Sequence, residues 1–140
     1  MKILVAVDGS PFTKRMLAYL TAHDEWLGGQ HAYTVLHTVP AVPPRAASVL
    51  DKTLLKSYYE EEGEKVFKPI RSFFKKQGVQ AEFVAKVGAA ADTIAAVATK
   101  GEYDLLIMGS HGHNTLGNLV MGSVATRVMA HCKTPVLLVR

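Results

Sequence analysis

The sequence predicts an α/β fold in which one doubly wound parallel sheet carries helices on both faces. Five short apolar runs alternate with segments of helical patterning, and glycine or proline residues separate them. Strands that alternate with helices form a parallel sheet, because each crossover must pack back onto that sheet. A chain of 140 residues has room for one proper core, so residues 1–140 are expected to form a single domain. The predicted strands cover residues 2–8, 31–39, 79–87, 104–109 and 135–139.

The first strand and the first helix are joined by a sharp turn. Residues 2–8 form a continuous β-rich apolar run, which is typical of a buried parallel strand. The sequence Asp-Gly-Ser-Pro at 8–11 predicts a turn, with Ser10 as N-cap and Pro11 at the first helical position. A helix is therefore expected from about 11 to 27, where a pair of glycines ends it.

The second strand leads into a proline-rich loop and a long helix. Pro40, Pro43 and Pro44 predict a loop to about residue 48, and a helix is expected from there to about Gln77. Pro69 lies inside this helix and is expected to kink or interrupt it.

Two further helices are expected at about 90–100 and 119–131, each leading into a strand. The last strand, 135–139, is strongly apolar and lies almost at the C-terminus. If it forms a sheet edge, its unpaired backbone groups invite pairing with another copy. A homodimer through this strand is therefore predicted.

Composition and charge exclude several classes of function. The net charge is +4, but the basic residues are scattered, and the densest group shares its helix with four glutamates between residues 60 and 64. Mixed charge of this kind is usually a solvated face, so no nucleic-acid binding is expected. No apolar stretch approaches the length of a membrane helix, and residues 3–7 are too short for a signal peptide. Cys132 is the single cysteine, which fits a reducing cytoplasm.

The most informative motif is Gly109-Ser110-His111-Gly112, followed after nine residues by Gly122-Ser123. It begins at the end of a predicted strand and runs into a predicted helix. Loop amides and first-turn N–H groups are unpaired there, and the helix dipole favours negative charge. Glycine lets the backbone approach a ligand closely or adopt positive φ. The motif predicts a bound phosphate group, most simply that of a nucleotide.

Together these residues resemble the universal stress protein family along essentially the whole chain. The resemblance rests on Val5-Ala6-Val7-Asp8-Gly9-Ser10, on Val87-Gly88, on the glycine motif continued to Val124, and on residues 135–139. It implies a Rossmann-like, flavodoxin-like sheet with strand order 3-2-1-4-5. It also implies ATP binding, because the subgroup of the family that carries this glycine pattern binds ATP.

The resemblance implies a nucleotide-binding residue for each part of the ligand. Asp8 matches the aspartate at the ribose and adenine end, and the main chain of Val39 matches the position that recognises adenine. Gly109 is expected near the ribose. The phosphates are expected to meet backbone N–H groups, and the Ser123 hydroxyl, in a set made of Gly112, Gly122, Ser123 and Val124.

Two histidines complete the expected nucleotide-binding set. His111 lies inside the motif, and His113 stands where many relatives carry a basic residue. Because imidazole is uncharged for much of the time at neutral pH, His113 is expected to weaken triphosphate binding, favour AMP or ADP, or make affinity pH-dependent. A divalent ion such as Mg²⁺ or Mn²⁺ would be held mainly by phosphate oxygens and water.

Three classes of function remain open at this point. The leading hypothesis is an ATP-binding stress regulator whose bound state is read by an unidentified protein partner. A slow nucleotide hydrolase is the second, although the chain has no G-x4-G-K-[ST] loop and no obvious carboxylate base near the glycine motif. A nucleotide-free interaction module is the third. Flavodoxins and receiver domains fit poorly, because the glycine loop follows the fourth strand and only one aspartate follows the first.

Overall fold

The computed structural model of the chain describes residues 1–113 and 120–140. In this part of the chain, five parallel strands form one sheet, which confirms the predicted fold class. The strands are β1 (Lys2–Ala6), β2 (Ala32–Val39), β3 (Ala81–Val87), β4 (Leu105–Gly109) and β5 (Val136–Val139). Their order in the sheet is β3-β2-β1-β4-β5, as the family resemblance implied.

Helices cover both faces of the sheet because the side chains of each strand alternate between the two faces. Ile3 and Val5 of β1 share one apolar cluster, while Leu4 and Ala6 belong to the other. The helices are α1 (Pro11–Ala22), α2 (Pro44–Ser48), α3 (Lys52–Lys76), α4 (Ala90–Lys100) and α5 (Ser123–His131). The first cluster is covered by α1 and α3, and the second by α4 and α5.

Helix α1 ends five residues earlier than the sequence predicted. Its last residue is Ala22, not a residue near 27, and the chain then continues in turns. Tyr33 of β2 explains the difference, because its hydroxyl donates to the Trp26 carbonyl and accepts from the Gly28 N–H, both at 2.9 Å. This tertiary contact replaces the hydrogen bonds that a longer helix would have made.

The segment between β2 and β3 also differs from the prediction. The short helix α2 lies within the expected loop, and α3 begins after Asp51, whose side chain accepts from the Thr53 N–H at 2.9 Å. Pro69 does not interrupt α3, which is continuous over 25 residues. Pro69 is exposed, so water can hydrate the carbonyl that loses its partner, while buried Phe67 and Ile70 hold the helix against the sheet.

Strand β5 occupies one edge of the sheet, where it pairs with β4 in parallel register from Leu106↔Val136 to Gly109↔Val139. The edge position predicted for this strand is therefore confirmed. No helix in the described ranges, 1–113 and 120–140, is long and apolar enough to cross a membrane.

Candidate functional site

A cavity of about 510 Å³ opens at the carboxyl ends of β1, β2 and β4. Ligand pockets commonly have volumes of roughly 300–1,000 Å³, and in open α/β sheets they lie at this edge. It is lined by the ends of β1, β2 and β4, by the glycine loop after β4, and by residues of the helices α1, α3, α4 and α5. Of the predicted site residues, the lining includes Asp8, Gly109, His111, Gly112, His113, Gly122, Ser123 and Val124.

Asp8 is held in one orientation by its own turn. Its Oδ1 accepts from the Ser10 N–H and from the Thr13 hydroxyl, both at 2.9 Å. Thr13 Oγ1 also accepts from the Asp8 N–H at 3.1 Å, so two contacts join the same pair of residues. Gly9, with φ of 75°, allows the chain to turn away immediately after Asp8.

The second carboxylate oxygen of Asp8 faces the glycine loop. A Cβ at Gly112 would lie 2.6 Å from Asp8 Oδ2, closer than any real Cβ contact. A side chain at Gly112 would therefore have to displace the Asp8 carboxylate from the hydrogen bonds that hold it. The spacing of the motif does not reveal this contact, since Asp8 and Gly112 are far apart in the chain.

Gly122 is favoured by close backbone packing and not by a positive φ. Its φ is −69°, but a Cβ there would lie 3.0 Å from His111 Cα and 3.1 Å from the Ser110 carbonyl oxygen. The Gly122 N–H donates to that same carbonyl at 2.7 Å. Gly122 thus joins the two halves of the glycine motif.

Ser123 is the first residue of α5, and Gly122 is its N-cap without a side-chain cap hydrogen bond. The helix was predicted to start at about residue 119, which lies outside the described residues. Residues 120–122 are described and are not helical, because the Gly122 N–H is bonded to the Ser110 carbonyl, so α5 starts later than predicted. First-turn N–H groups of an α-helix have no intrahelical acceptor, so the amides of Ser123 and Val124 are the donors that this helix presents. Both residues line the cavity. An anion in the cavity would meet these donors and the positive end of the helix dipole.

The two histidines of the loop are both fixed by hydrogen bonds. His113 Nε2 donates to the Asp8 carbonyl at 2.7 Å, because a carbonyl oxygen can only accept. His111 Nδ1 lies 2.8 Å from the hydroxyl of buried Ser110, and its ring centroid is 4.9 Å from that of Phe12. Within the described residues, no group of three or more His, Cys, Asp or Glu side chains is arranged to hold a metal ion.

Val39 differs from the other predicted site residues in where its side chain lies. It is buried and lines a neighbouring hollow against α3, while Thr38 and Pro40 on either side line the main cavity. The Val39 carbonyl accepts from the Gly88 N–H at 3.0 Å. The main-chain role expected for Val39 stays a prediction.

A family model described as the universal stress protein family matches residues 1–140. The chain belongs to this family. A universal stress protein of Thermus aquaticus is 32% identical over 139 residues, which cover 99% of this chain and 97% of the relative. Universal stress protein MJ0531 of Methanocaldococcus jannaschii is 30% identical over 142 residues, which cover 99% and 81%.

Solved structures of the family share the fold. The structure of MJ0577 matches with a TM-score of 0.83 and 25% identity, covering 99% of this chain and 94% of that one. An Archaeoglobus fulgidus universal stress protein in complex with dAMP has a TM-score of 0.69 at 21% identity, with coverages of 100% and 98%. An Arabidopsis thaliana family member with AMP bound has a TM-score of 0.70 at 17% identity, with coverages of 99% and 90%.

Several cavity residues of this universal stress protein were missed from the sequence. Those with polar side chains include Thr13 of α1, His37 of β2, and the pair Glu62 and Lys65 of α3. Thr13 carried a weak signal, since a hydroxyl in the first helical turn is well placed to bond an aspartate just before it. His37 had no such signal in the sequence. Its Nδ1 donates to the Val7 carbonyl at 2.9 Å, and this cross-strand contact depends on the register of the strands.

Asp8 and Glu62 both correct the expectation that no obvious carboxylate base lies near the glycine motif, because both line the same cavity. Glu62 Oε1 accepts from Lys65 Nζ at 2.8 Å. This hydrogen bond, and then the charge of Glu62, raise the pKa of Lys65 above its ordinary value. In the sequence both residues belong to a helix of mixed charge, which predicts a solvent-exposed face. Their place in the cavity was therefore not predicted.

Proposed function

We propose that this universal stress protein binds an adenine nucleotide, ATP in the cell, in the cavity beside the glycine loop. The observation that carries the proposal is the convergence of the Asp8 carboxylate, the close-packed Gly112 and the first turn of α5 on one cavity. An oriented carboxylate suits ribose hydroxyls, and a helix N-terminus suits phosphate. The volume of about 510 Å³ is of the right order for a nucleotide.

The proposed ligand lies across the ends of the strands. We assign the ribose to Asp8 and Gly109, and the phosphates to the loop at Gly112 and His113 and to the segment 122–124. The adenine would lie towards Thr38, Val39 and Pro40, over apolar side chains of the α4 and α5 face. Those side chains are Ala6, Ile94, Met108 and Ala125, all of which line the cavity and are buried. Family members with AMP and dAMP bound support an adenine nucleotide as the ligand.

A divalent ion, Mg²⁺ or Mn²⁺, would accompany a triphosphate. It would be held by phosphate oxygens and water, which hard cations accept readily, and it needs no protein cluster. His111 and His113 would contribute hydrogen bonds near the phosphates, and within the described residues no group of three or more His, Cys, Asp or Glu side chains is arranged to hold the ion.

Binding is proposed as the function in preference to hydrolysis. Hydrolysis needs a base that orients a water molecule at the terminal phosphate. Asp8 is assigned to the ribose, and the chain has no G-x4-G-K-[ST] loop whose lysine would neutralise the leaving phosphate. The nucleotide state would instead be read by a protein partner in the cytoplasm, where a chain with one cysteine needs no disulfide. The proposed form is a homodimer through β5.

The test is titration calorimetry of nucleotide-stripped protein with AMP, ADP and ATP. Asp8→Ala is expected to weaken all three similarly, because its assigned partner is the nucleoside end that they share. Asp24→Asn, an exposed substitution outside the cavity, is the matched control. Absence of binding for all three nucleotides by the unaltered protein would overturn the proposed function. An effect of Asp8→Ala on ATP alone would overturn the placement of the ribose.

A further inference from the structure

Lys65 is the only lysine or arginine among the described residues that line the cavity. The cavity also contains the carboxylates of Asp8 and Glu62. A nucleotide with several phosphates would therefore enter a site whose permanently charged side chains are two anions and one cation. Since His113 occupies the loop position where a basic residue was expected, any fixed positive side chain must come from elsewhere.

Helix α3 brings Lys65 to the cavity by packing against the turn after β1. The next residue, Val66, lies against this turn, and its Cγ2 is 3.4 Å from the position of a Cβ at Gly9. Gly9 follows Asp8, whose Oδ2 faces Gly112 of the glycine loop. Lys65 is thus anchored beside the segment that joins the ribose and phosphate ends of the proposed site.

The present partner of Lys65 holds it only weakly. The Lys65 side chain is 70% exposed and that of Glu62 is 33% exposed, at an Nζ–Oε1 distance of 2.8 Å. Ion pairs as exposed as this one contribute little, because water screens them and two long side chains must be ordered. A phosphate oxygen in a partly enclosed cavity is a stronger partner for an ammonium group. Lys65 therefore gains when it exchanges the Glu62 carboxylate for a phosphate oxygen as its hydrogen-bond partner.

We propose that Lys65 is a polyphosphate-binding residue. When a nucleotide occupies the cavity, Lys65 moves away from Glu62 and neutralises the phosphates beyond the α-phosphate. This inference rests on the proposed nucleotide-binding function and adds a specificity determinant to it. Lys65 favours ATP and ADP over AMP, because only the longer ligands carry the phosphates that it reaches. Glu62 acts as the competing partner and limits that preference.

The experiment compares the affinities for ATP and AMP by titration calorimetry at low ionic strength. Lys65→Gln is expected to weaken ATP about tenfold, the effect of one lost hydrogen bond to a charged group, and to change AMP by less than about twofold. Lys56→Gln is the control, because Lys56 belongs to the same helix and pairs with Glu60 at 4.0 Å but lies outside the cavity. Glu62→Gln is expected to strengthen ATP binding.

A double variant separates direct contact from relief of repulsion. Lys65→Gln alone leaves the Glu62 carboxylate unpaired, and that charge would itself repel phosphate. Lys65→Gln is therefore also made on the Glu62→Gln background, where ATP is still expected to bind about tenfold more weakly than to Glu62→Gln alone. An unchanged ATP to AMP ratio on that background overturns the inference while AMP binding upholds the proposed function. If the unaltered protein binds neither ATP nor AMP, both the inference about Lys65 and the proposed function are overturned.

Discussion

His113 Nε2 donates to the Asp8 carbonyl at 2.7 Å, across 105 residues of sequence. The contact joins the loop after β4 to the turn after β1, the two segments that meet in the cavity. Because a carbonyl oxygen can only accept, Nε2 is the donor. The contact therefore ties the glycine loop to the turn that orients Asp8.

This contact predicts that His113 supports nucleotide binding through its hydrogen bond. His113→Ala removes the donor that ties the glycine loop to the turn after β1, so it is expected to weaken AMP and ATP alike by about two- to tenfold. His113→Gln keeps an N–H donor and is expected to retain most of the affinity. Calorimetric titrations with AMP and ATP measure both variants. Unchanged affinity in His113→Ala would show that the contact does not support binding.

The fold was predictable from the sequence because its evidence is local. Apolar runs such as 2–8 and 104–109, with helical segments between them, determine a parallel sheet. The end of α1 was not predictable, since Tyr33 reaches it from the next strand.

The candidate site was predictable only in its loops. Gly112 and Gly122 stand out in the sequence because glycines at this fixed spacing seldom occur by chance. Lys65 does not, because its place in the cavity depends on how α3 packs against Gly9. Family resemblance supplied Asp8, and the contacts with Thr13 and Gly112 give the physical reason for its orientation.

Gly122→Val is expected to reduce nucleotide affinity at least tenfold while the fold is retained. Even a Cβ would press on the backbone at His111 and Ser110, so the two halves of the glycine motif must separate. The buried face of α5, Ala125 and Val128, would remain in place. Gly29→Ala is the control, because a Cβ there meets nothing within 4 Å. Titration with AMP and ATP, with circular dichroism for the fold, tests this; full affinity in Gly122→Val would refute the assigned role of the loop.

Tyr33→Phe is expected to destabilise the protein by about 1–3 kcal/mol at neutral pH, because it leaves the Trp26 carbonyl and the Gly28 N–H without their partner in a partly buried turn. Urea unfolding measures the loss. Tyr58→Phe, which alters an exposed tyrosine, is the control and should change stability little.

The raised pKa of Tyr33 also predicts that the protein loses stability in alkali. Burial raises the pKa of Tyr33 above its ordinary value of 10.0, against a smaller opposing effect of the hydrogen bond from Gly28. The unfolded chain therefore releases this proton first, so the stabilisation is complete below the unfolded pKa and is lost as the pH rises through the folded one. Urea unfolding at pH 8 and 10.5 should show a smaller alkaline loss in Tyr33→Phe than in the unaltered protein. Equal losses would mean that another group is responsible.

The edge strand β5 supports the last prediction, a homodimer in solution. The Val139 carbonyl accepts from Ser110 and the Pro135 carbonyl from Leu106, so alternation turns the backbone groups of Leu138 to the open edge. Leu138→Pro removes one donor from that edge and leaves these bonds to β4 intact. It is expected to convert a dimer of 15.2 kDa chains into a monomer in sedimentation velocity. The control is Ala85→Pro, which removes one N–H donor from the opposite edge of the sheet, at β3. The Gly88 N–H bonds to β2, so alternation along β3 turns the Ala85 N–H outward. Retained AMP binding would show that both variants fold. A dimer that survives Leu138→Pro but not Ala85→Pro would move the interface to β3.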